Sequence, residues 1–156
     1  MRWLTAILLG ALLIALPATA ADRTMSRTQT ITLVSKTVSV RALADKAPKG
    51  EPSMGDVFQE KSELRNAVAQ FERPKGALVG SDVAIATLLD TPRVRFALTV
   101  TLPGGTIRAG GVIGTVGQRI PVIGGTGVFA GARGTSEVRR LDGQGQALNI
   151  YRLRVP

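Results

Sequence analysis

The chain has 156 residues, a formal net charge of +9, 44% hydrophobic and 20% charged residues, which describes one globular domain and excludes a disordered polyelectrolyte. Cysteine and histidine are both absent. Thiol nucleophiles, thiolate metal sites, Ser-His-Asp machinery and the usual physiological-pH switch are thereby removed, so neither a metal site nor a catalytic triad is expected.

Met1-Arg2-Trp3 is a short positive start, residues 4–16 are apolar but for Thr5 and include one glycine, Pro17 breaks the run, and Ala18-Thr19-Ala20 supplies small residues. This is the pattern of a signal peptide over residues 1–20, cut near Ala20, and it predicts a secreted or periplasmic protein. The alternative is an uncleaved N-terminal anchor. The apolar run is shorter than the ~20 residues a membrane span requires, so no stable membrane insertion is expected. Without Arg2 the mature net charge stays at about +8, but no run of Lys/Arg exceeds two and few aromatics lie among them. General surface charge is expected, with no nucleic-acid partner.

Residues 21–29 are polar and read as a flexible leader. Ile31 and Leu33, then Val38 and Val40, mark a β-like stretch rich in Thr, Ser and Val. Residues 47–55 carry two prolines and two glycines and read as turn. Residues 56–69 have the composition of either helix or strand; the flanking strands favour strand. After the turn at Pro74-Lys75-Gly76, residues 77–89 form a long apolar segment, with a bend or bulge predicted at Gly80-Ser81-Asp82. Val94, Phe96, Leu98, Val100 and Leu102 then alternate with Arg95, Ala97, Thr99 and Thr101, the clearest strand of the chain. Pro103-Gly104-Gly105 turns into a strand over 106–113. A short strand over 119–123, the tight Gly124-Gly125-Thr126-Gly127 turn, and strands over 132–141 and 147–155 complete the series. The result is an all-β domain of about eight strands over residues 30–156. The even count and close turn signals favour a closed eight-stranded antiparallel β-barrel, with a β-sandwich as the alternative on pattern alone.

The run Pro121-Val122-Ile123-Gly124-Gly125-Thr126-Gly127-Val128-Phe129-Ala130-Gly131-Ala132-Arg133-Gly134 resembles the dirigent signature, in which a Gly-Gly-Thr-Gly-x-Phe turn leads to Ala-Arg-Gly. Gly55-Asp56, Leu64 and Val79-Gly80 resemble the corresponding strands of allene oxide cyclases, and more closely the bacterial barrel domains named after them. The resemblance to the allene oxide cyclase/dirigent superfamily runs from about Gly55 to Pro156, with residues 30–43 as the opening strand. It implies a barrel around an apolar cavity, a small apolar ligand or substrate, no cofactor, and a homo-oligomer (dimer or trimer), plant members often being trimers. It also implies a shaped cavity that steers a cyclisation, isomerisation or coupling, or, in the alternative, a non-catalytic binding or scaffold module of the cell envelope. The allene oxide cyclase cysteine falls near Ala86 and no acid occupies residues 31–40, which argues against allene oxide cyclase activity itself. Val128 replaces the acidic residue common in dirigent proteins, which argues against phenoxy-radical coupling. Read without the family, the glycines of 124–127 allow positive φ and close backbone approach, and Phe129 can plug one barrel end. A phosphate-cradling loop would need a Lys-Ser/Thr pair and a following helix, and neither is present.

The cavity candidates are Asp56, Glu60, Asp82, Arg95 and Arg133. Arg133 matches the dirigent signature arginine; it either lines the cavity or braces the turn. Period-2 alternation puts Phe58, Glu60 and Ser62 on the face of Asp56, and Asp82, Ala84 and Ala86 together on the next strand. Arg95, Thr99 and Thr101 look inward if the apolar stripe of residues 94–102 covers a partner subunit. Against these stand the ordinary readings: Glu60, Asp82, Arg95 and Glu137 as solvated or paired surface charges, and Tyr151 as a packing residue. No catalytic residue is assigned.

Overall fold

The computed structural model describes residues 26–90, 93–114, 119–141 and 145–156. The signal peptide expected over residues 1–20 and most of the leader lie outside them. Eight strands follow one another in space as in sequence: β1 (Arg27–Ala44), β2 (Val57–Asn66), β3 (Leu78–Leu88), β4 (Val94–Leu102), β5 (Gly105–Ile113), β6 (Arg119–Gly125), β7 (Arg133–Arg140) and β8 (Gln146–Val155). Each pairs antiparallel with its neighbours, and β8 returns to β1, closing the barrel. Closure satisfies backbone groups that an open sheet would leave at its edges. Arg27, Thr28 and Gln29, expected in the leader, are the first residues of β1 and pair with Val155, Arg154 and Leu153.

Strand alternation decides the inside. In β4, Leu98, Val100 and Leu102 are buried and Arg95, Ala97, Thr99 and Thr101 are exposed. The apolar stripe thus fills the barrel, and the proposal that it faces a partner subunit is corrected. Ile31 and Leu33 from β1, Leu64 from β2, Ile107 from β5 and Leu153 from β8 join it, each at most 1% exposed. Residues 56–69, open between helix and strand, supply β2, because only an extended chain places Ser62, Leu64 and Asn66 on one buried face. The bulge expected near Gly80 sits one residue earlier: Leu64 pairs with Gly80 and Arg65 with Leu78, leaving Val79 as the extra, buried residue.

The two ends of the barrel differ. At the end holding the start of β1 and the finish of β8, the Gly-rich corner carries a 3₁₀ turn, Gly127–Phe129, and Phe129 is fully buried as a plug. Gly125 makes this fit, since a Cβ there would stand 2.4 Å from the Phe129 carbonyl oxygen and 2.5 Å from that of Thr106. Gly127 has φ +59, and its Cβ would stand 2.0 Å from the Gly104 carbonyl oxygen in the β4–β5 hairpin. Asn66 seals the same end by donating its side-chain amide to the carbonyls of Gln70 (2.7 Å), Arg73 (3.0 Å) and Pro74 (3.3 Å).

At the opposite end β1 outruns β8. Its last register partner there is Gln146 at Lys36, while pairing with β2 continues, through two bulges, to Ala44. The inward residues near this end, among them Thr37, Phe58, Ala86 and Phe96, are only half-buried. Among the described residues this is the less covered end, the mouth.

Candidate functional site

Polar side chains enter the barrel at mid-height, above the apolar floor. Asp82 on β3 is 7% exposed and faces inward with Ala84 and Ala86. Ser62 lies directly across the register on β2, with Glu60 one inward step nearer the mouth. Glu60 accepts a hydrogen bond from the Thr37 hydroxyl of β1. From the far wall come Tyr151 and Asn149 on β8 and Ser136 on β7, all buried, with Ser136 and Tyr151 facing each other in the register. Ser35 of β1 donates to the Ala147 carbonyl at 3.3 Å.

The electrostatics follow from burial. Desolvation pushes the Asp82 carboxyl up to about 6, Ser62 tempers that rise, and the charge of Glu60 adds to it. Desolvation likewise raises the Tyr151 phenol above its usual value; the Asp82 charge adds to the rise and Ser136 opposes it. The phenol is therefore neutral across the physiological range and available as a hydrogen-bond donor. Neither Tyr151 OH nor Ser136 Oγ has a hydrogen-bond partner within normal geometry, although both are fully buried. The two hydroxyls stand across the β7–β8 register from each other, and it is Ser136 that moderates the rise of the phenol.

Small side chains gather on the upper inner face. Ala84, Ala86, Ala109 and Gly111 occupy inward positions from mid-height to the mouth, where the floor carries Leu, Ile and Val. Phe58 and Phe96 flank Ala86 across the register, and both are half-buried.

The five sequence candidates separate clearly. Glu60 and Asp82 stand on the inner face together. Asp56 is 1% exposed but precedes β2, and its carboxylate is taken up by the loop before it. It accepts from the backbone amides of Lys46 (2.6 Å) and Ser53 (2.9 Å), which hold its pKa below the ordinary carboxylate value. Its place is in the loop, not the cavity. Arg95 is exposed on the outer face of β4, opposite in parity to the buried stripe, so its placement in the cavity is corrected. Arg133 is also exposed; its guanidinium donates to the carbonyls of Ile123 and Ala132, each at 2.9 Å, and braces the corner around Phe129. It also lines a shallow outer depression of about 350 Å³ with Thr28, Arg152 and Arg154, outside the barrel and remote from the inner polar groups. Glu137 is a paired surface charge, 2.6 Å from Arg139 and 3.0 Å from Arg152.

Tyr151, Ser136 and Asn149 join the inner polar group, which the sequence reading did not place there. The available signal was the alternation of Asn149, Tyr151, Leu153 and Val155 along β8, which puts the tyrosine on the same face as two core residues. Among the described residues no group of acidic side chains could hold a metal ion, and no helix is long and apolar enough to cross a membrane.

No known family's sequence profile matches the chain, and no curated protein sequence does. Solved structures do match in fold. Pyocyanin demethylase is similar over 80% of this chain and 99% of its own, with a TM-score of 0.64 and 21% identity. A pterocarpan synthase dirigent protein covers 83% of this chain and 84% of its own, at a TM-score of 0.61 and 18% identity. An exo-specific intermolecular Diels-Alderase covers 82% of this chain and 98% of its own, at a TM-score of 0.63 and 15% identity. The chain thus has the eight-stranded barrel of dirigent proteins and Diels-Alderases, at low sequence identity.

Proposed function

We propose that the barrel binds a small, largely apolar molecule through its open mouth and steers a cyclisation, isomerisation or coupling within it. The observation that carries this reading is the placement of a buried carboxyl, Asp82 of β3, and a buried phenol, Tyr151 of β8, on the inner face of one barrel with small side chains at the neighbouring inward positions. Tyr151 donates a hydrogen bond to a carbonyl or enolate oxygen of the guest and supports negative charge developing there. Asp82, with a pKa of about 6, exchanges a proton with the guest near neutral pH. The walls hold the reacting atoms close and keep water out, so the chain needs no nucleophile of its own. The fold neighbours named for cycloaddition and for pterocarpan synthesis support the reaction class. We further propose that the protein works outside the cytoplasm after cleavage near Ala20, as the pattern of residues 1–20 indicates.

The test is turnover. Purified protein is incubated with candidate polyenes, quinone methides and enones, and products are resolved by chiral chromatography. The expected result is an altered product ratio or rate that drops at least tenfold in Tyr151→Phe and Asp82→Asn. Saturable binding without any change in product would favour a non-catalytic binding module. No binding at all would end both readings.

A further inference from the structure

The charges at mid-height inside this barrel are acidic, while its exterior is basic overall. Every lysine and arginine among the described residues is exposed, and the undescribed loop residues 91–92, 115–118 and 142–144 contain neither. At mid-height the inward polar groups are Glu60 and Asp82 with neutral hydroxyls and the Asn149 amide; Arg140 shares the inward face of β7 opposite Ala147 but sits at the exposed rim, and among the described residues neither carboxylate has an ion-pair partner. Buried or half-buried acids are ordinarily paired. Here the nearest help is a serine and a threonine hydroxyl. The same inner face carries the fully buried Tyr151 hydroxyl and, toward the mouth, Phe58 and Phe96.

We propose that the guest of this cavity is a small apolar cation, such as an amine, iminium or N-alkylated heteroaromatic, and that anionic molecules are turned away. The inference rests on the binding function proposed above and names its substrate class. A positive nitrogen would supply the missing counter-charge for Asp82 and Glu60. It would also lie over ring faces whose negative quadrupole attracts cations. The basic exterior does not oppose this, because exposed charges are screened beyond about 8 Å at physiological ionic strength, whereas contacts inside the barrel are screened far less.

Three probes of one shape decide the matter: a naphthylmethyl trimethylammonium, the matching naphthylmethanol and the matching naphthoate. Each is titrated by calorimetry at physiological salt, with competition by the neutral alcohol defining the interior site. The ammonium should bind at least tenfold more tightly than the carboxylate. In the Asp82→Asn/Glu60→Gln double variant that ratio should collapse to within about threefold, with a cooperative thermal melt and unchanged far-UV circular dichroism reporting an intact barrel. A carboxylate that binds as well as the ammonium overturns the proposal, as does a ratio that survives in the double variant. If the double variant does not fold, the ratio in the natural protein decides alone. Binding of the alcohol with no charge preference leaves the binding function standing and removes only the cation; no competitive binding by any probe removes both.

Discussion

Asp82 is the side chain whose replacement separates function from stability most sharply. Its carboxyl titrates at about 6 in the folded protein against 3.8 for the ordinary group. At ~1.4 kcal/mol for each unit of pH, the difference is worth roughly 3 kcal/mol. The folded state holds this proton more tightly than the unfolded state, so stability falls as pH rises from about 4 to about 6, and above that window the charged carboxylate carries the full cost. Asparagine has nearly the same shape, carries no charge and can still bond with Ser62. Asp82→Asn should therefore be more stable than the natural protein at pH 8, by up to ~3 kcal/mol, or about 10 °C in melting temperature for a domain of this size. The advantage should shrink as pH drops through 6 and vanish near pH 4. Thermal melts of both proteins, followed by circular dichroism in one-unit steps from pH 8 to pH 4, measure it directly. A variant that is less stable at pH 8, or a difference that does not change with pH, would refute the buried-charge account.

Two other substitutions probe the frame. Gly127→Ala forces a Cβ to 2.0 Å from the Gly104 carbonyl at a φ of +59, and should cost roughly 1–3 kcal/mol in urea unfolding, with the β4–β5 hairpin the first region to lose amide protection. Glu137 is held below its ordinary pKa first by Arg139 and then by Arg152, so its contribution is present above about pH 4.5 and is lost as pH falls through its depressed value. Glu137→Gln should lower the melting temperature at pH 7 in low salt, and the deficit should narrow as salt is added or pH drops below 4.

The strand series was legible in the sequence because alternation carries it. Residues 94–102 declare their two faces without help, and the turn glycines and prolines mark every hairpin. Placement of the polar groups was less accessible. Asp82 shows its face through Ala84 and Ala86, but Asp56 lies just outside the strand whose parity was used to place it, where backbone amides capture its carboxylate. Arg95 was misplaced by supposing that an apolar stripe needs a partner subunit, when the barrel's own interior takes it. Tyr151 was passed over because a lone tyrosine near a chain end reads as packing. Its importance depends on Ser136 and Asp82, which are far from it in sequence and come close only when β8 meets β7 and the barrel closes.

The seam between β1 and β8 has a practical consequence. Arg27 pairs with Val155, so both ends of the folded domain emerge beside the Phe129 plug and away from the mouth. A tether, fluorophore or second protein attached at either terminus would leave the entrance unobstructed, and a linker joining the two termini would have only a strand-to-strand gap to cross. A circular permutant opened in a hairpin at the mouth end would reverse that geometry and bring the new ends to the rim.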